Sequence, residues 1–118
     1  MKVLITGSDG FIAKNLICHL KATSNIEILK FDRNEDVDEL LSLVDEAELI
    51  FHLAGSNRPN DSSEFTRDNI ELTSSIVNRL LTSSHKKKII FSSSIKAKSV
   101  LGITIKLKMK YFIYNLER

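Results

Sequence analysis

The sequence predicts an α/β fold, a doubly wound parallel sheet of about four strands, and three observations carry that expectation. Short apolar, β-branched runs recur along the chain. Stretches with apolar residues at helical spacing lie between them. A turn containing two glycines joins the first run to the first helical stretch. Such alternation favours parallel pairing, because each helical crossover returns the chain to the same end of the sheet.

Residues 2–6 are the first strand, ended by Gly7 and Gly10, and residues 11–22 carry helical periodicity. Residues 26–31 read as the second strand. Asp32, Arg33 and Asn34 break it, after which Val37, Leu40, Leu41 and Val44 recur at helical intervals. Residues 48–53 are the third strand. The loop 55–63 holds the single proline and precedes a helix from about Glu64 to Thr82, with Ile70, Val77, Leu80 and Leu81 on its apolar side. Residues 86–88 are expected to be a solvated loop, and residues 88–92 are the fourth strand. Beyond them the pattern is ambiguous. Residues 103–111 alternate as a strand does, yet Leu101, Ile105, Met109, Phe112 and Leu116 also form a helical stripe.

A length of 118 residues suits one small domain. The net charge of +2 hides a split: residues 1–85 hold eight basic and fourteen acidic side chains, whereas residues 86–118 hold nine basic ones and only Glu117. The lysines of this tail lack the motif context of a nucleic-acid reader, so no nucleic-acid partner is expected. No apolar run approaches a membrane span, and the N-terminus lacks the features of a signal peptide, so a cytoplasmic location and no membrane partner are expected. Cys18, His19, His52 and His85 have no metal-ligand spacing, and no metal is expected. Cys18 should be a buried or half-buried thiol on the first helix.

Doubly wound sheets take ligands beyond the carboxyl ends of their strands, where the strand order reverses. There the segment 6–13 places Gly7, Gly10 and Ala13 three apart, between strand and helix. Gly7 suits the sharp turn, Gly10 lets a pyrophosphate approach the backbone, and Ala13 permits close helix packing. The helix N-terminus offers N–H groups and a positive dipole end to phosphates, so Gly7, Asp9, Gly10, Phe11 and Ile12 form the candidate cradle. Asp32 lies 22 residues past Gly10, placed to accept hydrogen bonds from an adenosine ribose. Arg33 beside it can pair with a 2′-phosphate, so NAD and NADP both remain open. His52, inside an apolar strand, is expected to be a satisfied core histidine.

These segments together resemble the extended short-chain dehydrogenase/reductase family, the NAD-dependent epimerases and dehydratases that modify nucleotide-linked sugars. His52-Leu53-Ala54-Gly55 is similar to the family's third-turn signature, which implies that Leu53, Ala54 and Gly55 line the nicotinamide side of the cofactor. Asp68-Asn69-Ile70 resembles its structural asparagine. Phe91-Ser92-Ser93-Ser94 resembles the strand end that supplies a catalytic serine, which falls on Ser94; the same serines also suit a strand terminated by side-chain hydrogen bonds. The longer strings 52–59 and 92–97 are similar to bacterial capsular-polysaccharide enzymes that reduce a UDP-linked 4-keto amino sugar with NADPH. The resemblance covers about residues 1–97, and implies a Rossmann-like dinucleotide-binding domain over residues 1–98 followed by a divergent basic tail over 99–118, a disrupted catalytic helix.

The family's Tyr-x-x-x-Lys is absent. Leu101 occupies the tyrosine position of the nearest stretch, and Tyr111 and Tyr114 are followed four residues later by Asn115 and Arg118. The family's sugar-binding region would also lie beyond Arg118, so the sheet is expected to be incomplete and the chain a truncated or sequence-shifted gene product. Two functions follow. One is the NAD(P)-binding fragment of a nucleotide-sugar reductase or epimerase, handling a UDP-sugar only when another domain completes it. The other is a nucleotide-binding module that pairs with a partner chain. A homodimer through the open sheet edge is a further expectation.

Overall fold

The computed structural model describes residues 1–23, 25–56 and 60–92. Four strands, β1 (Lys2–Thr6), β2 (Glu27–Phe31), β3 (Leu49–His52) and β4 (Lys88–Phe91), pair in parallel in the order β2-β1-β3-β4. The crossovers are α1 (Phe11–Lys21), α2 (Val37–Glu46), and a long helix built from α3 (Ser62–Phe65), a π-helical segment (Thr66–Glu71) and α4 (Leu72–Thr82). This is the expected doubly wound, Rossmann-like α/β sheet. Its direction reverses between β1 and β3, since β2 lies on one side of β1 and the later strands on the other.

The pleat of β1 sorts its side chains between two cores. Leu4 points to the face where Leu40 and Val44 of α2, Ile76 of α4, Ile50 and Ile89 are buried, while Val3 and Ile5 meet Ala13 and Ile17 of α1 on the other. Burial on both faces explains why β1 reads as an unbroken apolar run. Helices α2 and α4 are bridged by a two-pronged ion pair between Arg79 and Asp45. That contact holds the Asp45 carboxyl below the usual range.

Three expectations change. Cys18 is exposed: Ala13 and Ile17 share the inward stripe of α1, and the next residue is turned about 100° away from it. Ile70 and Leu81 are exposed as well, and the inward side of the last helix is Leu72, Thr73, Ile76 and Leu80. The π-helical segment shifts the phase, so a stripe drawn at constant helical spacing through Ile70 misses the core. The stretch 86–88 is not uniformly solvated, since Lys87 is half-buried and its ammonium donates to the carbonyl oxygens of Val44 and Asp45, which end α2. Burial lowers the pKa of Lys87. The readings of Ser94, and of the tail as strand or helix, lie outside the described residues.

Candidate functional site

The β1–α1 turn closes as its glycines anticipate. Gly7 sits at φ +67°, a left-handed conformation, and a Cβ there would stand 2.8 Å from the backbone N and Cα of Ala54. The turn therefore packs directly on the loop after β3. The Gly10 N–H donates to the Gly7 carbonyl at 3.0 Å, and the Lys14 N–H donates to the Gly10 carbonyl at 3.0 Å, opening α1. The other long crossovers are capped by carboxylates: Asp36 accepts from the Glu39 N–H and Asp61 from the Glu64 N–H, both at 2.8 Å. Gly10 offers α1 no side-chain cap, and no acidic residue stands in its first turn. Its N–H groups and positive dipole end are thus left for an anion.

Asp32 follows β2 and faces this turn. Its carboxylate accepts from the Asp9 N–H at 2.7 Å and from the Arg33 N–H at 2.7 Å, which fixes the glycine turn against the end of β2. Between the two lies a crevice of about 500 Å³, floored by Gly7, Ala54 and Gly55 and walled by Phe31, Val37, Leu53 and Leu72. Val37 is exposed because it faces this crevice rather than the core.

Beneath the floor runs a buried polar chain. Thr73 Oγ1 donates to the Asn69 carbonyl at 3.0 Å, so it accepts from His52 Nε2 at 2.8 Å. His52 Nδ1 is then the acceptor and takes the Thr6 hydroxyl at 2.7 Å, while Thr6 Oγ1 accepts the Ala54 N–H at 3.2 Å. Every polar atom of His52 is satisfied in its neutral form, and burial pushes its pKa down to about 4. The core-histidine expectation holds, with the added finding that the chain links β1, β3, the crevice floor and the last helix.

The π-helical segment supplies the fourth wall. It carries the consecutive residues Asp68 and Asn69. Asn69 Oδ1 accepts the Ser56 N–H at 3.1 Å and Nδ2 donates to the Ser56 carbonyl at 3.0 Å. A Cβ on Gly55 would come within 2.8 Å of that amide oxygen. Asp68 is buried at the crevice, accepting from Arg67 Nε at 2.9 Å.

Of the residues singled out in the sequence, Gly7, Asp9, Gly10, Asp32, Arg33, Leu53, Ala54 and Gly55 line one crevice. Phe11 and Ile12 flank it as exposed apolar side chains at the start of α1 without lining it. Ser94 lies outside the described residues; Ser92, two positions earlier in the sequence, donates to the His52 carbonyl through its N–H and its hydroxyl. Sequence reasoning missed Glu35, Val37, Arg67, Asp68 and Leu72, which share no motif and meet only in the fold. Among the described residues no His, Cys, Asp and Glu group could hold a metal ion, and no helix is long and apolar enough to cross a membrane.

A model of the NAD dependent epimerase/dehydratase family matches residues 3–102. The chain belongs to this family. It is 39% identical over 97 residues to a UDP-2-acetamido-2,6-beta-L-arabino-hexul-4-ose reductase of Pseudomonas aeruginosa, a match covering 82% of this chain and 26% of that protein. The capsular polysaccharide assembling protein CapF from Staphylococcus aureus superposes with a TM-score of 0.74 at 32% identity, over 99% of this chain and 32% of CapF. The fold also matches a UDP-glucuronic acid 4-epimerase from Bacillus cereus solved with NAD, with a TM-score of 0.69, 20% identity and coverage of 84% of this chain and 42% of the epimerase. This epimerase/dehydratase chain thus spans about a quarter of its curated relative and about a third of CapF. The crevice fits the family's dinucleotide: α1 starts with no side-chain cap, and the backbone at Gly10 has only the Gly7 carbonyl close to where a Cβ would stand, at 3.1 Å.

Proposed function

We propose that this chain is the NAD(P)-binding part of a nucleotide-sugar reductase or epimerase of capsular or surface-polysaccharide synthesis, and that it does not turn over substrate alone. The observation that carries the proposal is the join between the uncapped Gly7–Gly10 turn and Asp32, made through the Asp9 N–H at the switch point of the sheet. In this reading the pyrophosphate lies over residues 7–12, Asp32 accepts the adenosine ribose, and Leu53, Ala54 and Gly55 line the nicotinamide side. A nicotinamide dinucleotide bound there supplies or accepts a hydride. The chain's own residues hold and orient it, and Ser94 carries the role of a hydrogen-bond donor toward substrate in the complete site. The 39% identity to a UDP-sugar reductase and the likeness to CapF support the substrate class and the capsular setting. A cytoplasmic location accompanies this reading, as does the division into a dinucleotide-binding domain over 1–98 and a tail over 99–118.

Isothermal titration of NADH and NADPH tests it. Wild type is expected to bind at least one of them, and Gly10→Val to bind neither while keeping its far-UV circular dichroism. Equal affinity in the two proteins refutes the cradle.

A further inference from the structure

The crevice has a feature that the dinucleotide reading leaves unused: Arg33 is already engaged by two carboxylates of the third crossover, Asp68 on the opposite wall and Glu64 one turn before it. Its guanidinium lies 3.6 Å from Glu64 Oε1 through Nη1 and 3.9 Å from Asp68 Oδ2 through Nη2. The carboxylate side chains are only 16% and 12% exposed, against 59% for the arginine, so the acidic partners are fixed and the arginine is the movable one. Glu64 is held at both ends. Its N–H donates to Asp61 Oδ1 and its Oε2 accepts the Asn60 N–H at 2.8 Å, a reciprocal arrangement at the start of α3. Asp68 Oδ2 is buried and has no hydrogen-bond partner among the described residues, so it favours a nearby cation strongly.

Resting on the dinucleotide reading, we propose that Glu64 and Asp68 set the choice between NAD and NADP through their hold on Arg33. The ribose 2′-hydroxyl of NAD needs only the Asp32 carboxylate. A 2′-phosphate in the same place needs the donors of Arg33, and can have them only by taking the guanidinium from Glu64 and Asp68, leaving those carboxylates with less compensation. The two acids therefore act against NADP and are neutral toward NAD. Specificity at this wall is a difference between ligands, set by what the disfavoured one must break.

Glu64→Gln tests this cleanly, because the glutamine oxygen can still accept the Asn60 N–H while the charge is gone. NADH and NADPH affinities are measured by titration for wild type, Glu64→Gln, Asp68→Asn, and each acid variant combined with Arg33→Ala. NADPH binding should tighten about three- to fivefold in Glu64→Gln, the strength of a partly exposed ion pair, with NADH changed less than about twofold. Asp68→Asn should move the ratio the same way, and Glu64→Gln decides alone if that variant does not fold. In the Arg33→Ala background the shift should vanish, as expected when one residue acts through another. An unchanged NADPH to NADH ratio in Glu64→Gln overturns the proposal, as does a shift that persists without Arg33. Wild type binding neither dinucleotide overturns the dinucleotide reading itself, and this proposal with it.

Discussion

A side chain at Gly7 has no place to go, because the backbone is left-handed there and Ala54 closes the space where a Cβ would stand. Gly7→Ala should cost about 2 kcal/mol or more, combining the left-handed penalty with displacement of the crevice floor, and urea denaturation would read it. Gly10 differs, since its backbone is extended and a Cβ meets only the Gly7 carbonyl, so substitutions there separate binding from folding. His52 makes a pH prediction. In the unfolded chain it takes up a proton below about pH 6.5, whereas in the native chain burial holds its pKa at about 4. The unfolded state thus binds more protons between those values, and stability falls as pH falls through this window, by up to about 3 kcal/mol. Urea titrations at pH 7 and near pH 4.5 should show this loss, and His52→Gln should flatten it. A wild-type midpoint unchanged across the window would mean that His52 charges without opening the core.

At the scale of elements, the long third crossover is the part that makes the site. Its π-helical segment carries Asp68, which lines the crevice, and Asn69, which binds the loop after β3. Asn69→Ala should lose both hydrogen bonds to Ser56 and cost about 1–3 kcal/mol, with faster amide exchange at Ala54 and Ser56 as the local signature. Equal exchange in wild type and variant would show that the floor is held by Thr6 and His52 alone. The strands and first two helices were legible in the sequence within a residue or two, because each buries a face whose period is visible locally. The last helix was legible in extent but not in phase. Ile70 and Leu81 look like core residues on a regular wheel, and nothing in local composition marks the wider turn that exposes them.

For the whole molecule, the sequence carries the Gly7–Gly10 turn proposed as a dinucleotide cradle but no Tyr-x-x-x-Lys, and general acid catalysis of that kind contributes about 10²- to 10⁴-fold. The chain is therefore expected not to oxidise NADPH with a freshly generated UDP-4-keto amino sugar, followed by loss of reduced-nicotinamide absorbance. Steady turnover abolished by Ser94→Ala would reveal another acid. Self-association is the second expectation. β4 is an outer strand of the described sheet, and Ile90 on it is 39% exposed, so association of two copies on that side would cover apolar surface. Light scattering that reports a monomer at high concentration removes this idea.

The order of strands and helices, the glycine turn, the acidic residue after β2 and the buried histidine were all determined by the sequence, because each is written in residues only a few positions apart or in a single apolar run. Which way the last helix faces, which groups satisfy His52, and the pairing of Arg33 with Glu64 and Asp68 were decided by the tertiary structure. Those contacts join residues more than 20 positions apart, or depend on one helical turn being wider than its neighbours. Local periodicity carries no record of either. The glycine turn proposed as a phosphate cradle was thus readable before folding, whereas the wall proposed to choose between two cofactors exists only once β2 and the third crossover close on the same crevice.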